Sequence, residues 1–220
     1  GETVAIVGKS GGGKSTLVSL LLRMYEPDEG EIRIDGVPIS SCSLASVRQV
    51  VGAALQEPFL FEGTIRSNLL WGSGLQTDEE LWTACHKASI ADQIMRLPNG
   101  LDTPYGGSSG VTMSGGQQQR IALARTFLNQ KRIVVFDEAT SALDGEAEHA
   151  VKAGWRQIGE ETTVMIIAHR LSTILEADKI AVLEDGKIVA FGPHDELLRT
   201  SDAYRRLFEA QYSELEEAAV

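Results

Sequence analysis

The sequence predicts an α/β fold with a mostly parallel sheet and an inserted α-helical subdomain, and three observations carry that prediction. Short β-branched runs recur along the chain, with helical patterns between most of them. The first run stops at a glycine-rich loop that opens a helix. A long middle stretch, from about Gly63 to Gln130, offers helical composition and loops rich in Gly, Ser and Pro but no convincing strand.

The elements follow in order. Thr3 to Val7 is apolar and β-branched and ends at glycine, the pattern of a buried strand. After the loop, Leu17, Leu20, Leu21 and Met24 fall at i, i+3, i+4 and i+7, which predicts one apolar helix face. Further β runs lie at Glu31–Ile34, Val50–Leu55, Ile133–Phe136, Thr163–Ile167, Ile180–Leu183 and Ile188–Ala190. Helices are expected at Asp78–Ala88 and Gly115–Asn129, with a long glycine-rich loop over Pro98–Thr112. The expected division is a core over 1–62 and 131–192, a helical subdomain over 63–130, and a C-terminal helical segment over 193–220.

Composition narrows the function classes. At 220 residues and 23.8 kDa, the chain can bury a substantial core without disulfide staples. Cys42 and Cys85 are the only cysteines, and neither has a partner at metal-ligand spacing, so both read as buried structural thiols in a reducing compartment. No apolar run reaches the ~20 residues that span a bilayer. The formal charge of −11, from 20 Lys+Arg against 31 Asp+Glu, disfavours nucleic acid as a partner. Glu214, Glu216 and Glu217 read as a solvated helix face or a fraying tail.

The residues Gly8-Lys9-Ser10-Gly11-Gly12-Gly13-Lys14-Ser15, followed by Thr16, fit GxxxxGK[ST] between a strand and a helix. Glycines let the backbone curl so that successive N–H groups face phosphate oxygens, and the helix N-terminus adds partial positive charge. Lys14 is placed to reach the β- and γ-phosphates of ATP, and the Ser15 hydroxyl to ligate Mg²⁺. The core is thereby expected to be a P-loop NTPase fold.

Ile133 to Phe136 then delivers Asp137 and Glu138 at the C-terminal end of a buried strand, where open α/β sheets bind ligands. Asp137 is expected to hold Mg²⁺ and Glu138 to accept a proton from attacking water. Alone, such an ending would equally suit a helix cap; the upstream loop favours the magnesium reading. Ser114-Gly115-Gly116-Gln117 places a serine and two flexible residues at another helix start, with Ile121, Ala124 and Leu128 on one face.

With that order of motifs, the chain resembles the nucleotide-binding domain of ABC transporters over essentially its whole length. The signature matches at Met113 to Gln117, a Q-loop at Gln56-Glu57-Pro58, a D-loop at Ser141-Ala142-Leu143-Asp144, and a switch histidine at His169. Gln56 to Ile65, followed by Asn68, is similar to the exporter branch, in which this domain follows a transmembrane domain.

The resemblance implies that the chain is an excised fragment working at the cytoplasmic face of a membrane. It implies ATP hydrolysis that powers transport, with Gln56 ligating Mg²⁺ and His169 contacting the γ-phosphate beside Glu138. It also implies two partners, the transmembrane domain and a second nucleotide-binding domain, of the same or a homologous chain. Ser114 to Gln117 would then serve the second domain's nucleotide, and Asp144 would lie at the dimer seam. Two other readings compete: a nucleotide-gated dimerisation module with little turnover, and a soluble ABC-type ATPase outside transport.

The chain departs from the family in four places. Family members carry an aromatic for adenine well upstream of the loop, where this chain has only Gly1 to Val7. A serine stands where exporters show glutamate in the loop before the signature, and Gln118 stands where a basic residue is common. Met113 replaces the usual leucine, a volume-conserving exchange.

Overall fold

The computed structural model describes residues 1–137, 145–156, 158, 161–168 and 170–218, without the side chains of 146, 147, 150, 156 and 213–218. In chain order the elements are β1 (Thr3–Val7), α1 (Lys14–Leu21), β2 (Arg33–Ile34), β3 (Val37–Pro38), α2 (Leu44–Val50) and β4 (Val51–Ala54). Then come β5 (Gly63–Thr64), α3 (Ile65–Leu69), α4 (Asp78–Lys87), α5 (Ala91–Met95), β6 (Pro104–Tyr105) and α6 (Gly115–Leu128). They are followed by β7 (Ile133–Asp137), α7 (Gly145–Arg156), β8 (Thr163–Ile167), α8 (Leu171–Ile174), β9 (Lys179–Glu184), β10 (Lys187–Gly192), α9 (His194–Thr200) and α10 (Asp202–Ala218).

The chain divides into two compact units, one of residues 1–52, 132–138 and 161–220, the other of 53–131 and 139–160. The first unit is built on the main sheet, whose strand order is β10-β9-β1-β8-β7-β4. β1 runs parallel to β8 and β9, and β7 parallel to β8, while β9 and β10 form an antiparallel hairpin. The mostly parallel sheet is the one the sequence predicts. Its central strands are apolar on both faces because both are covered: Ala5, Ile6 and Val7 are buried, as are Val134, Val135 and Phe136, and Ile180 to Leu183.

Register fixes what happens at the strand ends. Ile6 pairs with Ile167, and Ile167 pairs with Asp137, so the three stand in one row across β1, β8 and β7. The chain therefore leaves β1 at Gly8 on the same edge at which Asp137 closes β7. Two strand spacings, about 10 Å, separate the two backbones.

α1 differs from the sequence reading. Its buried residues are Lys14 and Val18, and Leu22 is buried just beyond it. Leu17, Leu20 and Leu21 are only partly covered, and Met24 is exposed. The helix stops at Leu21, and Arg23 takes a left-handed conformation with φ 52°. There the Arg23 guanidinium donates to the carbonyls of Ile39 at 3.1 Å and Cys42 at 2.5 Å and pairs with Glu26 at 2.7 Å. Met24 is thus carried off the helical path altogether.

The second unit is helical. α4 packs on α6 and α7, and α3 on α6, around Ile65, Leu69, Leu81, Cys85, Ile121 and Leu123. α4 starts at a capping box in which Thr77 accepts from the Glu80 N–H and Glu80 accepts from the Thr77 N–H. Its acidic first turn and basic last turn both suit the helix dipole. The unit also holds strands the sequence did not suggest: β5 and β6 pair through Gly63 with Tyr105 and Thr64 with Pro104. Two-residue strands carry no readable alternation, and only the pairing of distant segments makes them.

Candidate active site

The glycine loop is shaped by close approaches that only glycine permits. A Cβ on Gly8 would stand 2.2 Å from the carbonyl oxygen of Leu183 in β9, inside any permissible contact. Gly13, the residue before α1, sits at φ 97°, ψ 7°, a left-handed conformation that costs glycine little. Gly12 N–H donates to the Lys9 carbonyl at 3.1 Å, closing the turn.

Lys14 follows as the first helical residue and is only 6% exposed. Its ammonium donates to the carbonyls of Gly8 at 2.8 Å and Lys9 at 3.0 Å, which curls the side chain back over the loop. Ser15 and Thr16 are exposed at the helix start. α3, α4 and α6 are each capped by a hydroxyl side chain, whereas α1 begins at Gly13 with no side-chain cap and no acidic residue in its first turn. The first-turn N–H groups and the positive dipole end of α1 are thus presented to an incoming anion.

The β9–β10 turn braces this loop, a feature the sequence reading missed. Gly186 N–H donates to the Gly12 carbonyl at 3.2 Å. Loop residues Lys9 to Gly12, turn residues Leu183 to Asp185, and Arg206 of α10 line a cavity of about 350 Å³. Arg206 lies 3.6 Å from Glu184. Asp185-Gly186 between two β runs is a hairpin signal that could have located the turn, though not its contact with the loop.

Asp137 is buried at the end of β7, on the sheet edge from which the loop departs. In the second unit, Gln56 lies exposed in a bend shortly after β4. There too, Ser114 caps α6: its hydroxyl accepts from the Gln117 N–H at 3.3 Å, and its own N–H donates to Gln117 Oε1 at 2.9 Å. Gly115 and Gly116 form the first turn, and Gly115 has open space where a Cβ would be. Gln118 donates to the Met113 carbonyl at 2.9 Å, and Met113 is buried. As expected, Ile121, Ala124 and Leu128 are buried along α6. Glu138, Asp144 and His169 lie outside the described residues.

The model of the ABC transporter family matches residues 1–141, which include the glycine loop, the strand ending in Asp137, and the capped start of α6. The chain belongs to the ABC transporter family. It is similar to the uncharacterized ABC transporter ATP-binding protein YwjA of Bacillus subtilis (strain 168), 45% identical over 215 residues, covering 98% of this chain and 37% of that protein. Among solved structures it matches a bacterial Atm1-family ABC exporter with ATP bound, with a TM-score of 0.90 and 42% identity, over 96% of this chain and 37% of that one.

The chain thus spans little more than a third of the length of these relatives. Within the ABC family it is the ATP-binding part, an ATPase domain. Among the described residues no helix is long and apolar enough to cross a membrane.

Proposed function

We propose that this chain is the motor domain of an ABC exporter, hydrolysing Mg·ATP to power translocation through a transmembrane partner. The observation that carries the reading is the phosphate loop: an uncapped helix start, a braced glycine turn and a lysine ammonium folded over its mouth. Exporter coupling is supported by the likeness to the bacterial Atm1-family ABC exporter. The proposed place of work is the cytoplasmic face of the membrane, with no role for nucleic acid.

The donor set suits magnesium. Among the described residues no group of three His, Cys, Asp or Glu could hold a metal by itself. Mg²⁺ characteristically takes few protein oxygens and completes its shell with water and substrate phosphates. The Ser15 hydroxyl, the Asp137 carboxylate and the Gln56 amide are the proposed ligands. The ion when bound would offset charge on the β- and γ-phosphates.

The protein's own part is positioning and proton transfer. Gly8 to Gly13 cradle the phosphates with Thr16, and Lys14 grips the β- and γ-oxygens. Glu138 accepts the proton of the attacking water, and His169 holds the γ-phosphate. Two domains, identical or homologous, work head to tail, so that Ser114 to Gln117 of one complete the other's site and Asp144 lies at the seam. The Ser114 geometry supports this: its oxygen accepts the cap hydrogen bond, leaving the hydroxyl proton to donate outward to a phosphate.

The test is steady-state phosphate release with and without Mg²⁺, for the parent chain and Glu138→Gln. Magnesium-dependent turnover that the variant loses, with ATP-induced dimers accumulating, is the expected result. Undiminished turnover in Glu138→Gln would remove Glu138 from its role.

A further inference from the structure

Behind the start of α6 lies a short chain of amides that the catalytic reading leaves unused. Gln117 Oε1 is committed to the Ser114 N–H, so its Nε2 points the other way, and there it donates to Gln93 Oε1 of α5 at 3.1 Å. The same Gln93 oxygen faces Arg120 Nη2 at 3.4 Å. Arg120 in turn donates from Nη1 to the Ser89 carbonyl at 3.4 Å, just before α5.

The orientations are mutually determined. Flipping the Gln117 amide would set its NH₂ against the Ser114 N–H, donor to donor. Flipping Gln93 would set its NH₂ against both Gln117 and Arg120. Only one arrangement sets a donor against an acceptor at all four contacts, and Gln93 is its anchor.

We infer that Gln93 is a positioning residue for ATP-driven dimerisation: it locks the Gln117 amide, and through it the Ser114 cap, into the form that meets a partner's nucleotide. The inference rests on the reading that Ser114 to Gln117 act in trans. Without Gln93, the Gln117 side chain loses the acceptor that fixes its second hydrogen bond. The cap then exchanges among rotamers that aim Ser114 differently. A productive dimer would have to select one of them, and its apparent affinity falls by the fraction populated.

Arg120 sharpens the expectation. Its hydrogen bonds to Ser89 and Gln93 are both long, at 3.4 Å, and its buried Nε finds no hydrogen-bond partner among the described residues. A carboxylate at position 93 would accept from Gln117 Nε2 as glutamine does and give Arg120 a charge-assisted contact as well. Gln93→Glu should therefore preserve function, whereas shortening or removing the amide should not.

The experiment uses the whole chain in a Glu138→Gln background, with dimer fraction followed by sedimentation velocity as ATP is titrated. Gln93→Leu and Gln93→Asn should each raise the ATP concentration for half-dimerisation about tenfold, a difference of about 1.4 kcal/mol. Gln93→Glu should match the parent or fall below it. Mg·ADP affinity, measured by calorimetry, should be the same in all four, because that site is built by the glycine loop. If Gln93→Leu does not fold, Gln93→Asn carries the test.

Equal ATP curves for parent and variants, or a Glu variant as impaired as Leu, would overturn the role of Gln93 alone. Parallel loss of Mg·ADP affinity would overturn it too, as a general structural defect. A parent that binds Mg·ATP yet never dimerises would remove the trans reading itself, and the inference with it.

Discussion

The ammonium of Lys14 lies 2.8 Å from the carbonyl oxygen of Gly8, six residues behind it in the chain. The cation is thus already stationed over the loop, its stem buried beneath it. Lys14→Met keeps the stem and removes the charge. A charge-assisted hydrogen bond contributes about 1.5–3 kcal/mol, so the Kd for ATP should rise roughly ten- to a hundredfold with the fold retained. Calorimetry beside circular dichroism checks both; unaltered affinity would remove Lys14 from nucleotide binding.

Gly8→Ala tests the brace from β9. The new Cβ would meet the Leu183 carbonyl oxygen at 2.2 Å, and backbone within a sheet does not yield cheaply. Overpacking of this kind costs about 1–3 kcal/mol, read from a urea melt, and should weaken ATP binding as well. Gly115→Ala is the control: nothing lies within 4 Å of its Cβ, in a helix, so about 0.4–1 kcal/mol of stabilisation is expected.

Arg66 bridges Asp78 and Asp102, its Nε 2.7 Å from Asp102 Oδ1. The hydrogen bond from Arg66 holds the Asp102 carboxyl below its usual 3.8. A depressed folded value means that the contribution is complete above the ordinary carboxylate pKa and is lost as pH falls through the lower folded one. Asp102→Asn should therefore lower the melting temperature at pH 7, and the gap to the parent should close in strong acid. A gap that persists unchanged below pH 3 would contradict the assignment.

The two thiols should react at very different rates. Burial pushes the Cys85 thiol up to about 12, and the residue is fully enclosed beside α6, whereas Cys42 is partly exposed. Because the thiolate is the nucleophile, a thiol reagent at pH 8 should label one cysteine of the folded chain, Cys42, and reach Cys85 only on unfolding. Mass spectrometry of the labelled peptides decides it.

What could be read from the sequence was whatever is local. The β-branched runs that end at Gly8 and Asp137 are single strands, and their alternation with helices fixes a parallel sheet. Thr77 to Glu80 and Ser114 to Gln117 carry their helix starts within four residues. The unread features depend on segments far apart in the chain. The chain's path beyond α1 is tied to the carbonyls that Arg23 meets; β5 exists only because β6 pairs with it; and no pattern around Gln93 announces that Gln117 needs it.

The carbonyl oxygens of Gly8, Lys9 and Gly12 are each taken by donors from the protein itself: the first two by Lys14, the third by Gly186. The polarity of the loop is thereby decided before any nucleotide arrives, since the dipole ends that would repel phosphate are engaged elsewhere. A turn one residue shorter between β9 and β10 would release the Gly12 oxygen and admit a repulsive dipole to the receptor. The hairpin, remote in sequence from the glycines, thus helps to keep the pocket selective for negative charge.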